Sequence, residues 1–322
     1  MAAGVPPWVE VVAHDGAVEA ELLGEDAVPE EVARCELLRG GLPAECQHEA
    51  DGTQETGGLA YGQRPYSGWH VSVPRLVVTG VHGLPEIRPD DDLPRLIAEA
   101  LRMQGDALRD GDVLAVAQKI VSKSEGRIVH LDDVTPGDRA IAMAKEGGKD
   151  PRQLEVVLSE TAKIVRWAHG VLISETRHGF VCANAGVDRS NAGAPDTVIL
   201  LPLDPDASAL RIRDGLRALT GATVAVVVTD TFGRAWREGH MNVAIGIAGL
   251  PALKRYMGQF DPEGYELRVT EIAVADEVAA AAELVMGKLD RCPAALVRGL
   301  VANEPSETAR DYVRPAERDL FR

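Results

Sequence analysis

Three short polar stretches hold the residues whose types and spacing could do chemistry. VVVTDTFGRAWREGH (226–240) runs four apolar or β-branched residues into Asp230, then places Thr231, Gly233, Arg234, Arg237, Glu238 and His240 within ten positions. A rigid strand can hold a carboxylate toward a cleft, and the same residue can equally cap the following turn. NAGVDRSNAG (184–193) follows the apolar FVCA and gathers Asn184, Asp188, Ser190 and Asn191 among glycines. Asn, Asp and Gly accept the turn conformations that aim several polar groups at one place. QKIVSKSEGR (118–127) brings Lys119, Lys123 and Arg127 together with Ser122, Ser124 and Gly126, and reads as a short strand and turn. Cations and hydroxyls at that density suit phosphate oxygens. Asp188 and Asp230 together are what hard divalent ions bridging phosphates require, because Mg²⁺ or Mn²⁺ takes a few carboxylate oxygens and completes its shell with water and phosphate. Singly, each stretch also fits a plain role as a turn or a solvated loop.

Strands and helices must position these residues. PRLVVTGV (74–81) reads as a strand, and Leu93, Ile97, Ala100 and Leu101 recur at helical spacing. DVLAVAQKIVSKSEGRIV (112–129) reads as one or two strands, and DPRQLEVVLSETAKIV (150–165) as an amphipathic helix with Leu154, Val157, Leu158 and Ala162 on one face. ISETRHGFVCANAGVDRSN (173–191) has the pattern of a hairpin. DASALRIRDGLRALTG (206–221) is a helix stopped by Gly221, and ATVAVVVTD (222–230) is the next strand. ADEVAAAAELVMGK (275–288) is apolar enough to predict a buried helix, and CPAALVRGL (292–300) closes as a strand. Strands and helices mix without strict βαβ alternation, which predicts an α+β fold with a mixed sheet. Neither GxGxxG nor GxxxxGK[ST] occurs, which argues against Rossmann and P-loop folds.

Composition narrows the partners. The chain has 322 residues, 45% of them hydrophobic, and a net charge of −16, which excludes a polyanion such as nucleic acid as the main partner. No apolar run approaches the roughly 20 residues that span a bilayer, so no membrane partner is expected. MAAGVPPWVEVVAHDG lacks the pattern of a signal peptide, and the expected location is cytoplasmic. Residues 1–75 carry 13 acids against four arginines and no lysine, and read as an acidic, flexible extension with a short helix over 28–41 and a loop over 46–68. Cys35, Cys46, Cys182 and Cys292 form no CxxC pattern, so they read as free thiols and not as a zinc site.

The pieces GLPEIRPDDD (83–92), KIVSKSEGR, NAGVDRSN, VVVTDTFGRAWREG, VTEIAVADEVAAAAELVMGK and VRGL occur in the order seen in the coenzyme F-420 γ-glutamyl ligases (the CofE family), which residues 76–322 resemble. ARDYVRPAERDLF (309–321) is similar to the join after the ligase part of actinobacterial two-domain homologues, which continue into a nitroreductase-like domain. The resemblance implies a two-part α+β ligase that pairs as a homodimer. It implies GTP, two divalent ions (Mg²⁺ or Mn²⁺) and K⁺ as a further candidate ion, with L-glutamate and a deazaflavin precursor as substrates. Ligation would pass through an acyl phosphate. Carried over by position, the nucleotide contacts are Gly83, Leu84, Pro85, Glu86, Gln118, Lys119, Lys123, Asn191 and the run Met286, Gly287, Lys288, Leu289, Asp290, Arg291, Cys292 and Pro293. Asp188 and Asp230 match ligands of one metal and Thr231 a ligand of the second, while Lys123, Arg234 and Arg237 are candidates for stabilising the transferred phosphoryl group. Lys288 stands where archaeal members have a metal-binding glutamate, and an ammonium cannot ligate a cation. His240 reads as a structural histidine. Another nucleotide-dependent amide ligase, or a non-catalytic nucleotide-binding regulator, stays open as an alternative.

Overall fold

The computed structural model describes residues 10–14, 17–21, 75–190, 194–300 and 306–319. The chain divides into two compact units, Met1–Trp69 and His70–Arg322. In the first, β1 (Glu10–His14) and β2 (Ala17–Glu21) pair as an antiparallel hairpin. The helix expected over 28–41, the loop over 46–68, Cys35 and Cys46 lie outside the described residues.

The second unit runs β3 (Val77–Gly80), α1 (Leu93–Met103), β4 (Val113–Ala117), α2 (Gln118–Ser124), β5 (Ile128–His130), α3 (Asp138–Gly147), α4 (Pro151–Ser159), β6 (Thr161–Ala168), β7 (Val171–Thr176), β8 (Val181–Ala183) and β9 (Thr197–Ile199). It continues with α5 (Pro205–Thr220), β10 (Ala225–Arg234), β11 (Arg237–Ala248), β12 (Lys254–Arg255), β13 (Glu271–Ile272), α6 (Val274–Met286) and β14 (Ala294–Arg298). The main sheet has the order β11-β10-β4-β14-β3; β10 and β4 are parallel and the other neighbours antiparallel. The fold is therefore α+β with a mixed sheet. Helices α1, α5 and α6 cover it, and Val226, Val227, Val228, Leu114 and Val116 are fully buried at its centre. Each such side chain contributes about 2 kcal/mol by leaving water. A second core, with Leu131, Val157, Leu172, Val187 and Val198, sits among α4, β5, β7 and β9.

Local sequence explains the helix ends. In α1 the Asp92 side chain accepts from the Arg95 amide and Pro94 occupies the first turn; the buried face is Leu93, Ile97, Ala100 and Leu101, as the spacing predicts. Asp204 caps α5, and Gly221, with φ of 77°, ends it.

Three expectations are corrected. Residues 118–124 form a helix and not a strand: Ile120 and Val121 are β-branched or apolar, but with Gln118 and Ser122 they form one buried helical face after β4 ends. The helix expected over 150–165 stops at Ser159, where the Ser159 and Thr161 hydroxyls bond carbonyls of its last turn, and Ala162 lies in β6. Helix α6 is buried on one face only, through Val274, Ala275, Val278, Ala279, Ala282 and Met286, and Leu284 is exposed.

At Gly246 of β11 a β-carbon would overlap the Pro205 carbonyl at the start of α5, whereas at Gly233 the nearest atom would be His240 Cδ2 at 4.0 Å. Gly246→Ala should therefore cost about 2 kcal/mol or more and lower the Tm by roughly 5 °C. Gly233→Ala should leave it nearly unchanged. Equal melting temperatures for the two variants would show that α5 moves aside without penalty.

Candidate active site

Strand direction collects the candidate residues at one end of the main sheet. Strand β4 finishes there, with Ala117 opposite Thr229 of the parallel β10, which runs on to Arg234 as one arm of a hairpin with β11. The antiparallel strand β14 starts there, and the Ala117 amide donates to Pro293 O at 2.8 Å. β3 ends there at Gly80, opposite Ala295, and β11 brings Asn242 opposite Thr231. A register shift in the β10–β11 pairing falls between Val228 and Thr229: Val228 lies opposite Gly246 and Thr229 opposite Ala244, so Ile245 is an extra residue in β11. Such a bulge re-aims the side chains beside it. Asp188 arrives from the second core, its backbone paired with Ile199 through N–H···O bonds of 3.0 and 2.8 Å.

These ends surround a cleft of about 950 Å³. Leu84, Pro85, Glu86, Gln118, Lys119, Lys123, Asp188, Asp230 and Thr231 all line it, as do Met286 to Leu289 and Arg291 to Pro293. Gly83 opens the first of these loops with φ of 84°, a conformation that favours glycine. The loop is anchored behind by Gln104, whose amide accepts from His82 N at 2.7 Å and donates to Gly80 O at 3.0 Å. Asp290 is exposed outside the cleft lining. Asn191 lies outside the described residues. The Gln118 side chain turns inward, donating to Ser122 Oγ at 2.6 Å and Leu200 O at 2.9 Å. Arg234 and Arg237 sit at the tip of the β10–β11 hairpin and do not line the cleft; the Arg234 guanidinium bonds Glu238 O at 3.2 Å. His240, expected to be structural, is exposed on the cleft wall.

The charges are arranged in pairs with one left over. Lys123, 7% exposed, binds Glu86. Lys119 binds Asp188 at 2.7 Å and Ser190 Oγ at 2.5 Å. Lys288 binds Glu283 at 2.7 Å. Among the described residues no ion pair involves Asp230. Burial, and then the charge of Asp188, push its carboxyl up to about 7 despite a bond from the Thr231 amide and the fields of Lys119 and Lys288. Burial also works to raise Asp188, but Lys119 and the Ser190 amide hold it below the usual carboxylate range. Beneath them, burial and Asp230 push the Cys182 thiol up to about 12, which makes it inert. Cys182 and Cys292 are free and buried.

A half-buried carboxylate short of positive charge beside a second carboxylate, with hydroxyl and amide oxygens at hand, fits a hard divalent ion. No three His, Cys, Asp or Glu side chains converge as a metal cluster among the described residues, so such an ion would complete its shell from solvent or substrate. Two cleft residues escaped the sequence reading. Asn242 is 3% exposed; its Oδ1 accepts from Thr231 Oγ at 2.7 Å and its Nδ2 donates to Thr229 Oγ at 3.3 Å. Glu283, the one acid in the second half of the Ala-rich helix, lines the wall. The only sequence signals were an Asn leading an apolar strand and an acid in an apolar run.

Comparison with known proteins gives a consistent picture. Residues 83–299 match the F420-0:Gamma-glutamyl ligase family. The Coenzyme F420:L-glutamate ligase of Methanothermobacter thermautotrophicus is 44% identical over 246 residues, 76% of this chain and 97% of its own length. Its namesake from Methanopyrus kandleri is 47% identical over 242 residues, 74% of this chain and 94% of its own. That of Methanocaldococcus jannaschii is 43% identical over 218 residues, 67% and 86% respectively. Among the described residues no helix is long and apolar enough to cross a membrane.

The uncompensated Asp230 predicts a pH effect on the metal-free protein. Its folded value lies above its unfolded value, so the neutral acid is favoured on folding, and stability drops as pH rises from about 4 to about 7. Asp230→Asn removes that loss. Without divalent ions, the variant should melt higher than the wild type at pH 8, by roughly 5 °C, and the gap should close toward pH 4. Superimposable pH–Tm curves would refute it.

Proposed function

The chain belongs to the F420-0:gamma-glutamyl ligase family, and from that premise we propose that it joins L-glutamate to the glutamate-free deazaflavin precursor of coenzyme F-420, driven by GTP. The observation that carries this reading is the half-buried Asp188–Asp230 pair, short of one cation, set at the same sheet end as Lys119 and Lys123.

A carboxylate resists attack by an amine because it is anionic and has no leaving group. Attack of the precursor carboxylate oxygen on the γ-phosphorus of GTP breaks the bond to the β-phosphate oxygen and releases GDP. The glutamate amine then adds to the carbonyl of the acyl phosphate, the C–O bond to phosphate breaks, and the nitrogen loses its proton. Both steps depend on holding anions together, which is a matter of position and charge. Asp188 and Asp230 would hold a divalent ion, whose contribution is neutralising phosphate charge. Lys123, buried against Glu86, has an ammonium fixed in the cleft and is the group to meet a phosphate oxygen. Lys119 holds the Asp188 carboxylate ionised and aligned, with Ser190 as its second support. The Gly83–Glu86 loop, clamped by Gln104, forms the wall against which the nucleotide would lie. Pairing as a homodimer belongs to the same proposal, and its check is the mass in solution.

Incubation with GTP, Mn²⁺, L-glutamate and the deazaflavin precursor should give a glutamylated product and GDP in equal amounts. GDP release that requires a different acid would replace the acceptor, and nucleotide binding without turnover would leave a regulator. Asp230→Asn and Asp188→Asn should each lower turnover by about a hundredfold or more while remaining folded. The double variant should lose far less than the product of the two, because both serve one centre. A chain starting at His70 should keep full activity; its inactivity would tie residues 1–69 to the reaction.

A further inference from the structure

Consecutive residues of a strand send their side chains to opposite faces, so Asp230 and Thr231 leave β10 in opposite directions just beyond the end of β4. Asp230 turns toward Asp188 and Cys182, whose charges and burial are coupled to its own. Thr231 turns toward the end of α6. There the Lys288 ammonium lies 2.6 Å from Thr231 Oγ and 2.7 Å from Glu283 Oε1. The Thr231 hydroxyl donates its own proton to Asn242 Oδ1 at 2.7 Å, and Asn242 is held in turn by Thr229. With its proton committed inward, Thr231 offers only lone pairs to the cleft, and an ammonium takes them. Gly287, with φ of 59°, turns the chain directly after α6 and so brings Lys288 back against the strand.

We propose, resting on the reading of the cleft as a divalent-ion-dependent phosphoryl-transfer site, that Lys288 is a tethered cation occupying the Thr231 position, so that each chain takes one exchangeable divalent ion, at Asp188 and Asp230, instead of two. A divalent ion touching Thr231 Oγ would have to share that oxygen with an ammonium, and like charges at contact distance repel. It would also need the Glu283 carboxylate, which Lys288 already holds. The lysine delivers one fixed positive charge to that side of the cleft without any exchange with solvent ions.

Counting bound Mn²⁺ by the electron spin resonance of the free ion, at pH 8 and without nucleotide, tests this independently of turnover. The wild type should bind one Mn²⁺ per chain. Lys288→Met, which keeps the length of the side chain and frees Glu283, and Lys288→Glu, which adds a carboxylate, should each gain a second. That second ion should bind at least tenfold more tightly than any second binding to the wild type, with melting curves showing all three proteins folded. Two equally tight ions on the wild type, or one ion on all three proteins, would overturn the tethered-cation inference alone. No bound ion on any of them would overturn the divalent-ion reading and this inference with it.

Discussion

The parallel register of β10 on β4 is the constraint from which the rest of the unit follows. Both strands are buried, so their alignment is fixed by the apolar residues along their length and not by the polar residues at their ends. With Ala117 opposite Thr229, the two chain exits are brought side by side, and the antiparallel strands on either flank must then begin or end at the same edge. Four loops distant in sequence become neighbours without any attraction among themselves. The apolar core supplies the free energy that holds mutually repelling carboxylates together.

That arrangement has an electrostatic consequence. Three lysines in the cleft each satisfy one carboxylate, and the fourth carboxylate, Asp230, is left half-buried without one beside Asp188. A site of this kind is under strain when empty and relaxed when a cation or a suitably charged ligand arrives. Stability is given up in the free protein so that binding has something to relieve. Lys119 limits the loss by keeping Asp188 ionised, and the buried Cys182 thiol adds no charge of its own.

Much of this could be read in the sequence because strands announce themselves. The apolar runs before Asp188 and Asp230 marked the buried lead-in to both carboxylates, although β10 continues past Asp230 to Arg234, and the helical spacing of Leu93, Ile97, Ala100 and Leu101 gave the buried face of α1. The lysines of 118–124 were recognised by type but assigned to a strand, since a seven-residue helix with Ile and Val at its centre has too few turns to show its period. The inward turn of the Gln118 side chain could not be read locally, because its partner Leu200 is 82 residues away. Arg234 and Arg237 looked equivalent to their neighbours along the chain, and only the length of the hairpin carries them past the cleft. Asn242 and Glu283 were missed for the same reason: their partners are fixed by pairing and packing that no local pattern encodes.

The extra residue Ile245 in β11 has a mechanical consequence for the hairpin. Sliding β11 by one position past β10 would turn Asn242 away from Thr231 and rotate Ile245 and Ile247 out of the core. Because Ile245 must be accommodated somewhere, only one alignment satisfies the apolar half and the polar half of the ribbon at once. The bulge therefore works as a detent: the hairpin can bend or twist at its tip, but it cannot creep lengthwise, and the spacing between Thr231 and the helix facing it is locked to the core rather than to the loop.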